Sequence, residues 1–139
     1  SQYELEAQKI FINTMVAFAQ SNNVHIVLVL HPKKIAEILK KEDVSGSNDL
    51  TNRPDNVILL HRINQNFIRT VQAEYRWKSD NPLLSADSLI EIAKDRESGV
   101  VDYFIPLYYE PESHRLNESK YESKNYGWQR SDVFDELPM

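Results

Sequence analysis

The sequence predicts an α/β domain with a mainly parallel sheet and an antiparallel hairpin near its C-terminal end. Two near-continuous apolar runs, 24–30 and 56–61, are typical of strands buried on both faces of a parallel sheet. An amphipathic segment precedes the first run, so helix, short turn and buried strand make half of a βαβ unit. Two further strand-like runs flank Glu97-Ser98-Gly99, a sequence typical of a hairpin turn.

The first predicted element is a helix over Tyr3 to Asn22. Its apolar residues recur at helical spacing on one face: Leu5, Ile12, Met15, Val16 and Ala19. Ser21-Asn22-Asn23 ends the helix, and the β-branched run Val24 to Leu30 follows. Since half a βαβ unit lacks its first strand, we expect a strand upstream of residue 1.

The middle of the chain alternates turn-like and strand-like sequence. After Pro32, residues 35–41 predict a short helix or a mobile loop, and 42–54 is rich in the Ser, Asn, Asp and Gly of turns. Asn56 to His61 predicts the second buried strand. Residues 64–81 show no clear period and are long for a connection inside a compact domain.

The C-terminal part is predicted to hold two strands and a tail. Leu89 to Lys94 and Val100 to Tyr109 predict the arms of the hairpin. Residues 119–139 are polar apart from a few aromatics, so we expect them to form a partly flexible tail after a domain of residues 1–118.

Composition limits the possible classes of protein. The 139 residues are 41% apolar and 27% charged, and the longest apolar run is far too short to span a membrane. No signal peptide is visible, so we expect a cytoplasmic protein of a bacterial cell or a phage-infected host. The absence of cysteine excludes disulfides and thiolate chemistry. A net charge of −5 argues mildly against nucleic-acid binding by the whole surface, but not by a channel.

Several residues could carry chemistry. His31 lies where the first predicted strand ends, the edge at which open α/β sheets bind ligands. Lys94 and Arg96 stand two residues apart in a strand, so both cations point to one side and could meet a triphosphate. The histidines other than His31 have no metal-ligand spacing with carboxylates.

The loop after the first strand combines cations and small residues. Lysines contact phosphates regardless of base sequence, and small residues let backbone N–H groups approach a phosphate. Candidates for such contacts are Lys33, Lys34, Lys40, Lys41, Ser45, Gly46, Ser47 and Asn48. Each candidate also has an ordinary interpretation: a polar strand end for His31, a solvated face for the lysines, and a surface pair bridged to Asp95 and Glu97 for Lys94 and Arg96.

Taken in order, four segments resemble the C-terminal half of the RecA-like ATPase domain of ring-shaped replicative DNA helicases. These helicases are those of the DnaB/Twinkle and phage primase-helicase type. They are His31-Pro32-Lys33-Lys34, Ser45-Gly46-Ser47, Asp55-Asn56-Val57-Ile58 and Lys94-Asp95-Arg96. The resemblance covers roughly residues 4–118. The Walker A and Walker B segments that bind phosphates and Mg²⁺ do not occur in these 139 residues, so the resemblance is to a partial P-loop NTPase core.

The resemblance implies a role for each candidate. His31 senses the γ-phosphate, Arg96 is an arginine finger assisted by Lys94, and Arg62 and Tyr109 sandwich the nucleotide base. The lysines and small residues at 33–48 hold single-stranded DNA. The full-length protein would be a homo-hexamer that binds ATP or another NTP with Mg²⁺ and hydrolyses it between subunits. The fragment alone would bind neither, and no membrane is involved.

Two alternatives remain open. One is a RecA-fold ATPase of the recombinase-like or clock type, which keeps the sheet but acts on other DNA or protein. The other is a non-enzymatic α/β binding module that lost its catalytic half.

Overall fold

The computed structural model describes residues 1–32, 38–44 and 46–121. In the described part of the chain the α-helices are α1 (Gln2–Asn22), α2 (Asp49–Asn52) and α3 (Gln65–Glu74). The strands are β1 (Asn56–Arg62), β2 (Ser88–Asp95), β3 (Tyr103–Glu110) and β4 (Arg115–Asn117). Short 3₁₀ turns lie at Lys41–Asp43 and Pro82–Ser85. No helix among these residues is long and apolar enough to cross a membrane.

Helix α1 confirms the first prediction. The hydroxyl of Ser1 accepts a hydrogen bond from the backbone N–H of Glu4 (3.3 Å), which satisfies one of the free donors of the first turn. Asn23 ends the helix in the left-handed conformation, with φ 50°. Of the predicted apolar face, Ile12 is buried, whereas Leu5 is exposed. Helix α1 therefore packs against the rest of the chain through only part of its apolar surface.

The segment 24–30 differs from its prediction as a buried strand. It belongs to none of the described strands, and Val27 and Val29 are 77% and 79% exposed. Ile26, Leu28 and Leu30 are only 37–41% exposed, so exposure alternates with the period of two that extended backbone produces. The segment has the side-chain pattern of a strand but, among the described residues, no strand beside it.

The described sheet is antiparallel throughout, so the prediction of a mainly parallel sheet is wrong for these residues. Its order is β1-β2-β3-β4, and each neighbouring pair is antiparallel. Arg62 at the end of β1 pairs with Ser88 at the start of β2, so the chain between them leaves and re-enters at one end of the sheet. The predicted C-terminal hairpin is confirmed by β2 and β3.

The core forms where α3 covers one face of the sheet. Helix α3 lies within residues 64–81, where the sequence shows no clear period. Asn64 caps its N-terminus, since Asn64 Oδ1 accepts the N–H of Phe67 at 2.8 Å. Phe67 and Val71 of α3 pack with Ala86 and Leu89. Trp77 meets Phe67 and Phe104 edge to face, with ring centroids 6.4 and 5.2 Å apart. Trp77 thus packs against the sheet, as its aromatic character favours.

The opposite face of the sheet carries exposed apolar side chains. Ile58 and Leu60 of β1 and Tyr103 of β3 lie on this face, since the paired residues of neighbouring strands share a side of the sheet. All three are more than half exposed. Of the predicted C-terminal tail, residues 122–139 lie outside the described residues.

Candidate functional site

Lys94 binds residues 51–55, which comprise the end of α2 and the connection to β1 and which we call the carbonyl loop. Its ammonium group donates to the backbone oxygens of Asn52 (2.6 Å), Pro54 (2.8 Å) and Thr51 (3.4 Å). An ammonium has three protons to donate, so this set of acceptors saturates it. Lys94 therefore holds the carbonyl loop against the end of β2.

Arg96 binds the same loop from two residues further along. Its guanidinium donates to Asp55 Oδ1 (2.7 Å) and to the backbone oxygens of Arg53 (3.2 Å) and Asn52 (3.4 Å). The Arg96 and Asp55 side chains are 51% and 54% exposed, so water surrounds much of the pair. Lys94 lies in β2 and Arg96 in the turn that follows it, and both side chains donate to the backbone oxygen of Asn52.

The surroundings of Lys94 form a cationic corner, which we define as Lys41, Lys94 and Arg96. The pKa of the Lys94 ammonium is lowered first by partial burial, then by the positive charges of Arg96 and Lys41, while Asp55 opposes the shift. Lys41, which the sequence predicts to bind DNA, is thus close enough for its positive charge to lower the pKa of Lys94. Of the lysines predicted to bind DNA, Lys41 is therefore the one whose charge acts on Lys94.

The hairpin turn beside this corner is organised by Asp95. Its carboxylate accepts from the backbone N–H groups of Glu97 (3.1 Å) and Ser98 (3.4 Å) and from the Ser98 hydroxyl. These bonds lower the pKa of Asp95, with the Ser98 hydroxyl as the largest cause. Asp95 therefore serves its own turn, and the carboxylate that pairs with Arg96 is Asp55.

The predicted phosphate-binding loop packs against helix α1. Gly46 has φ 113°, a conformation that favours glycine, and the next N–H, that of Ser47, donates to Gln8 Oε1 at 2.8 Å. The backbone oxygen of Asn48 accepts the N–H of Asn52 at 3.0 Å. Lys40 is exposed at the start of the Lys41–Asp43 turn. Three predicted DNA contacts, Lys33, Lys34 and Ser45, lie outside the described residues.

His31 is exposed at the end of the unpaired segment 24–30 rather than at the end of a buried strand. An isolated bridge joins the next residue, Pro32, to Val44. This bridge places His31 on a segment that runs beside the turn bearing Lys41. His31 thus precedes a residue that is bridged to Val44, directly after the Lys41–Asp43 turn.

Arg62 and Tyr109 lie on one face of the sheet. Arg62 pairs with Ser88 and Ser88 with Leu107, and Tyr109 is two residues beyond Leu107. From the usual spacing of strands and residues, their Cα atoms are about 12 Å apart, within reach of two long side chains. The Tyr109 hydroxyl is engaged with His114 Nδ1.

The sequence reasoning missed two cavities. One, of about 470 Å³, lies beside Tyr109 and is lined among others by Asp87, Tyr108 and Glu110. The other, of about 690 Å³, is an apolar groove that separates the segment 24–30 from β1 and is bordered by α1. The exposed β-branched run was the available signal for the second. Nothing in the local sequence around Asp87 marks the first.

His61 is buried away from these sites and meets the half-buried Glu91. His61 Nε2 lies 2.6 Å from Glu91 Oε2, and the two side chains are 1% and 13% exposed. His61 also packs against the rings of Phe67 and Phe104. His61 therefore packs in the core with Glu91 as its polar partner.

No protein-family model matches the chain, and no significant match occurs among the curated proteins compared with it. Among the described residues, no group of three or more His, Asp and Glu side chains is placed to hold a metal ion. Fold and geometry thus define the class: an α/β protein with a four-stranded antiparallel sheet, one covered sheet face and a cationic corner at the strand ends.

Proposed function

We propose that this chain is the C-terminal part of the RecA-like ATPase domain of a ring-shaped replicative DNA helicase. The observation that carries the proposal is the cationic corner: Lys94 and Arg96 converge on the carbonyl loop, Lys41 lies near them, and Arg96 remains half exposed. A cation held at a rigid strand end and open to solvent can reach a phosphate on a neighbouring subunit.

Arg96 is the residue that acts on the phosphate. An exposed ion pair contributes only about 0–1 kcal/mol, so the guanidinium can exchange Asp55 for phosphoryl oxygens at little cost. Lys94 is a positioning residue, because its ammonium is occupied by three carbonyl oxygens. Lys94 fixes the carbonyl loop. Asp55 of this loop holds the Arg96 guanidinium until it exchanges Asp55 for phosphoryl oxygens.

Single-stranded DNA is bound by the lysines of the 33–41 segment. Lys41 belongs to the cationic corner, Lys40 precedes it in the chain, and Lys33 and Lys34 are the other two lysines of the sequence segment. The N–H of Ser47 is already bonded to Gln8, so in this proposal the small residues 45–48 shape the loop and lysines make the phosphate contacts. His31 reports the loss of the γ-phosphate to this loop.

Nucleotide binding is completed by residues outside this sequence. ATP with Mg²⁺ would be held by a phosphate loop, and the metal would neutralise charge on the transferred phosphoryl group. Within this chain, Arg62 and Tyr109 hold the base from one sheet face. The homo-hexameric ring follows from the need for Arg96 to act on a neighbour.

The test is the ATPase rate of the longer protein that joins this chain to its phosphate loop, with and without single-stranded DNA. Arg96→Ala is expected to abolish DNA-stimulated hydrolysis, and wild-type subunits are expected to restore part of it in mixed rings. Arg69→Ala, an exposed arginine on α3, is the matched control and should keep full activity. Hydrolysis that ignores both DNA and Arg96 would rule out the helicase mechanism.

A non-enzymatic binding module is the second candidate. It is favoured by Lys94 and Arg96 having acceptors within the chain and by the apolar groove beside β1. The two candidates differ in DNA binding. Fluorescence anisotropy with a labelled oligo-dT should show salt-dependent binding that weakens in Lys40→Gln/Lys41→Gln but not in Lys9→Gln if the chain is part of a helicase. Absence of any oligo-dT binding favours the module.

A further inference from the structure

We infer that the cavity at the β3–β4 end of the sheet binds a guanidinium cation, either that of free arginine or that of an arginine side chain in a polypeptide. The inference does not rest on the proposed ATPase, since the residues that carry it, Asp87, Glu110 and Asn117, have no role there. The cavity has a volume of about 470 Å³. This volume is in the range of sites that hold small ligands.

Asn117 is the residue that points to a ligand. It is only 8% exposed, and its backbone pairs with Tyr108 of β3. Within the described part of the chain, its side-chain amide makes no hydrogen bond. Buried amides are nearly always hydrogen-bonded, because burial without a partner costs free energy. The Asn117 amide thus has its donors and its acceptor unused.

The Asn117 amide is open to the cavity. Among the side chains of the described residues, His61 Nδ1 is the only fully enclosed nitrogen or oxygen without a hydrogen bond. The amide atoms of Asn117 also lack a partner, so they must reach open space, and the space beside this residue is the cavity. A ligand in the cavity can therefore bond to this amide.

Two carboxylates supply further acceptors, and each has one oxygen already used. Asp87 Oδ2 accepts the backbone N–H of Tyr109 at 2.8 Å, and Glu110 Oε2 accepts the hydroxyl of Ser113. The second oxygen of each carboxylate has no hydrogen bond among the described residues. Of the charged residues that line the cavity, these two carboxylates outnumber the one cation, Lys120. The lining therefore favours a positively charged ligand.

The acceptors are spread across the end of the sheet. Asp87 donates its backbone N–H to Leu107 O (3.0 Å) on one side of β3, while Asn117 pairs on the other side. From the usual spacing of strands, the Cα atoms of Asp87 and Asn117 are about 10 Å apart, and Glu110 lies about 7 Å beyond Tyr108. An ammonium group offers its protons from a single nitrogen, whereas a guanidinium spreads five N–H groups over a plane. Separated acceptors therefore match a guanidinium better than an ammonium.

Tyrosine rings lie beside the same acceptors. Tyr108 is half-buried in the middle of this row, and Tyr121 at the rim is 91% exposed. Both line the cavity. A guanidinium stacks on tyrosine rings and is more weakly hydrated than an ammonium, so it leaves water at a smaller cost. The charge, the separated acceptors and the rings together favour the guanidinium group.

The test uses the isotope-labelled 139-residue chain and three probes: N-acetyl-arginine amide, N-acetyl-citrulline amide and N-acetyl-lysine amide. Citrulline keeps the shape of arginine without the charge, and lysine keeps the charge without the planar fork. Titrations followed by the NMR signal of the Asn117 side-chain amide should show binding at least ~10-fold weaker for citrulline and at least ~5-fold weaker for lysine. Tighter binding of free arginine than of the arginine probe identifies a small-molecule ligand, and equal or weaker binding identifies a polypeptide side chain.

Two matched variants locate the charge that the ligand meets. Asp87→Asn removes a charge but keeps an oxygen for the N–H of Tyr109, so it should weaken the arginine probe at least ~5-fold and the citrulline probe by less than about twofold. Glu97→Gln, in the turn at the opposite end of the sheet, should leave both affinities unchanged. Arginine that binds no tighter than citrulline or lysine, equal losses in the two variants, or an Asn117 amide signal that no probe shifts would each overturn the inference.

Discussion

His61 shows how one buried residue constrains its partner. An ionised Glu91 can only accept a hydrogen bond, so the 2.6 Å contact assigns the ring proton of His61 to Nε2. Nδ1 then faces the core without a hydrogen bond among the described residues. The ring N–H of His61 is thus used by Glu91, and the fold loses stability if Glu91 no longer accepts this hydrogen bond.

Glu91→Leu is expected to lower the free energy of unfolding by roughly 1–3 kcal/mol, because the N–H of His61 loses its acceptor while buried. His61→Phe combined with Glu91→Leu should recover part of that loss, since both polar groups are then gone. Urea denaturation of the two single variants and the double variant measures the coupling. Strictly additive changes would show that the contact contributes nothing.

Lys94 and Arg96 differ in how much of the fold they hold. Lys94→Met removes a charged donor from three carbonyl oxygens and should cost roughly 1.5–3 kcal/mol. Arg96→Ala removes a half-exposed pair and should cost about 1 kcal/mol or less. Chemical denaturation compares them, with Lys40→Met as the exposed control. If both cost the same, the division into a positioning residue and a free cation is wrong.

Among the elements, the hairpin turn depends on the ionised form of Asp95. The folded state lowers the pKa of this carboxyl below its unfolded value. Its contribution to stability is therefore present above the unfolded pKa and is lost as the pH falls through the folded pKa. Titration of the Asp95 carboxyl by carbon NMR should give a lower pKa in the wild type than in Ser98→Ala, because the Ser98 hydroxyl is the largest cause. Ser85→Ala, a distant serine, should leave the pKa unchanged.

Local sequence was sufficient for some elements and not for others. Helix α1 and the β2–β3 hairpin follow from short-range signals: a helical apolar stripe and a Gly-containing turn. Helix α3 was missed because its ten residues are mostly polar, although Phe67 and Val71 stand four residues apart on its buried face. The run 24–30 has strand composition, but burial requires a neighbouring strand that local sequence cannot guarantee.

At the scale of the molecule, the direction of the strands and the partners of the site were not predictable. An apolar run is compatible with parallel and with antiparallel neighbouring strands. In the structure, the pairing of Arg62 with Ser88 shows that β1 and β2 run antiparallel. Lys94 and Arg96 converge on Asn52 although Arg96 lies in the turn beyond the end of β2. Their acceptors at 51–55 and the bond between Gln8 and Ser47 join positions about 40 residues apart, which no local pattern reports.

The uneven packing of the molecule predicts uneven hydrogen exchange. The core of Phe67, Val71 and Leu89 lies between α3 and the central strands, so amides of β2 should exchange only through global unfolding. The amides of 25–30 have no backbone acceptor among the described residues and should exchange near the rate of an unfolded chain. Mass spectrometry after deuterium labelling measures both in one experiment. Slow exchange in 25–30 for the isolated chain would contradict the lack of backbone acceptors for this segment among the described residues.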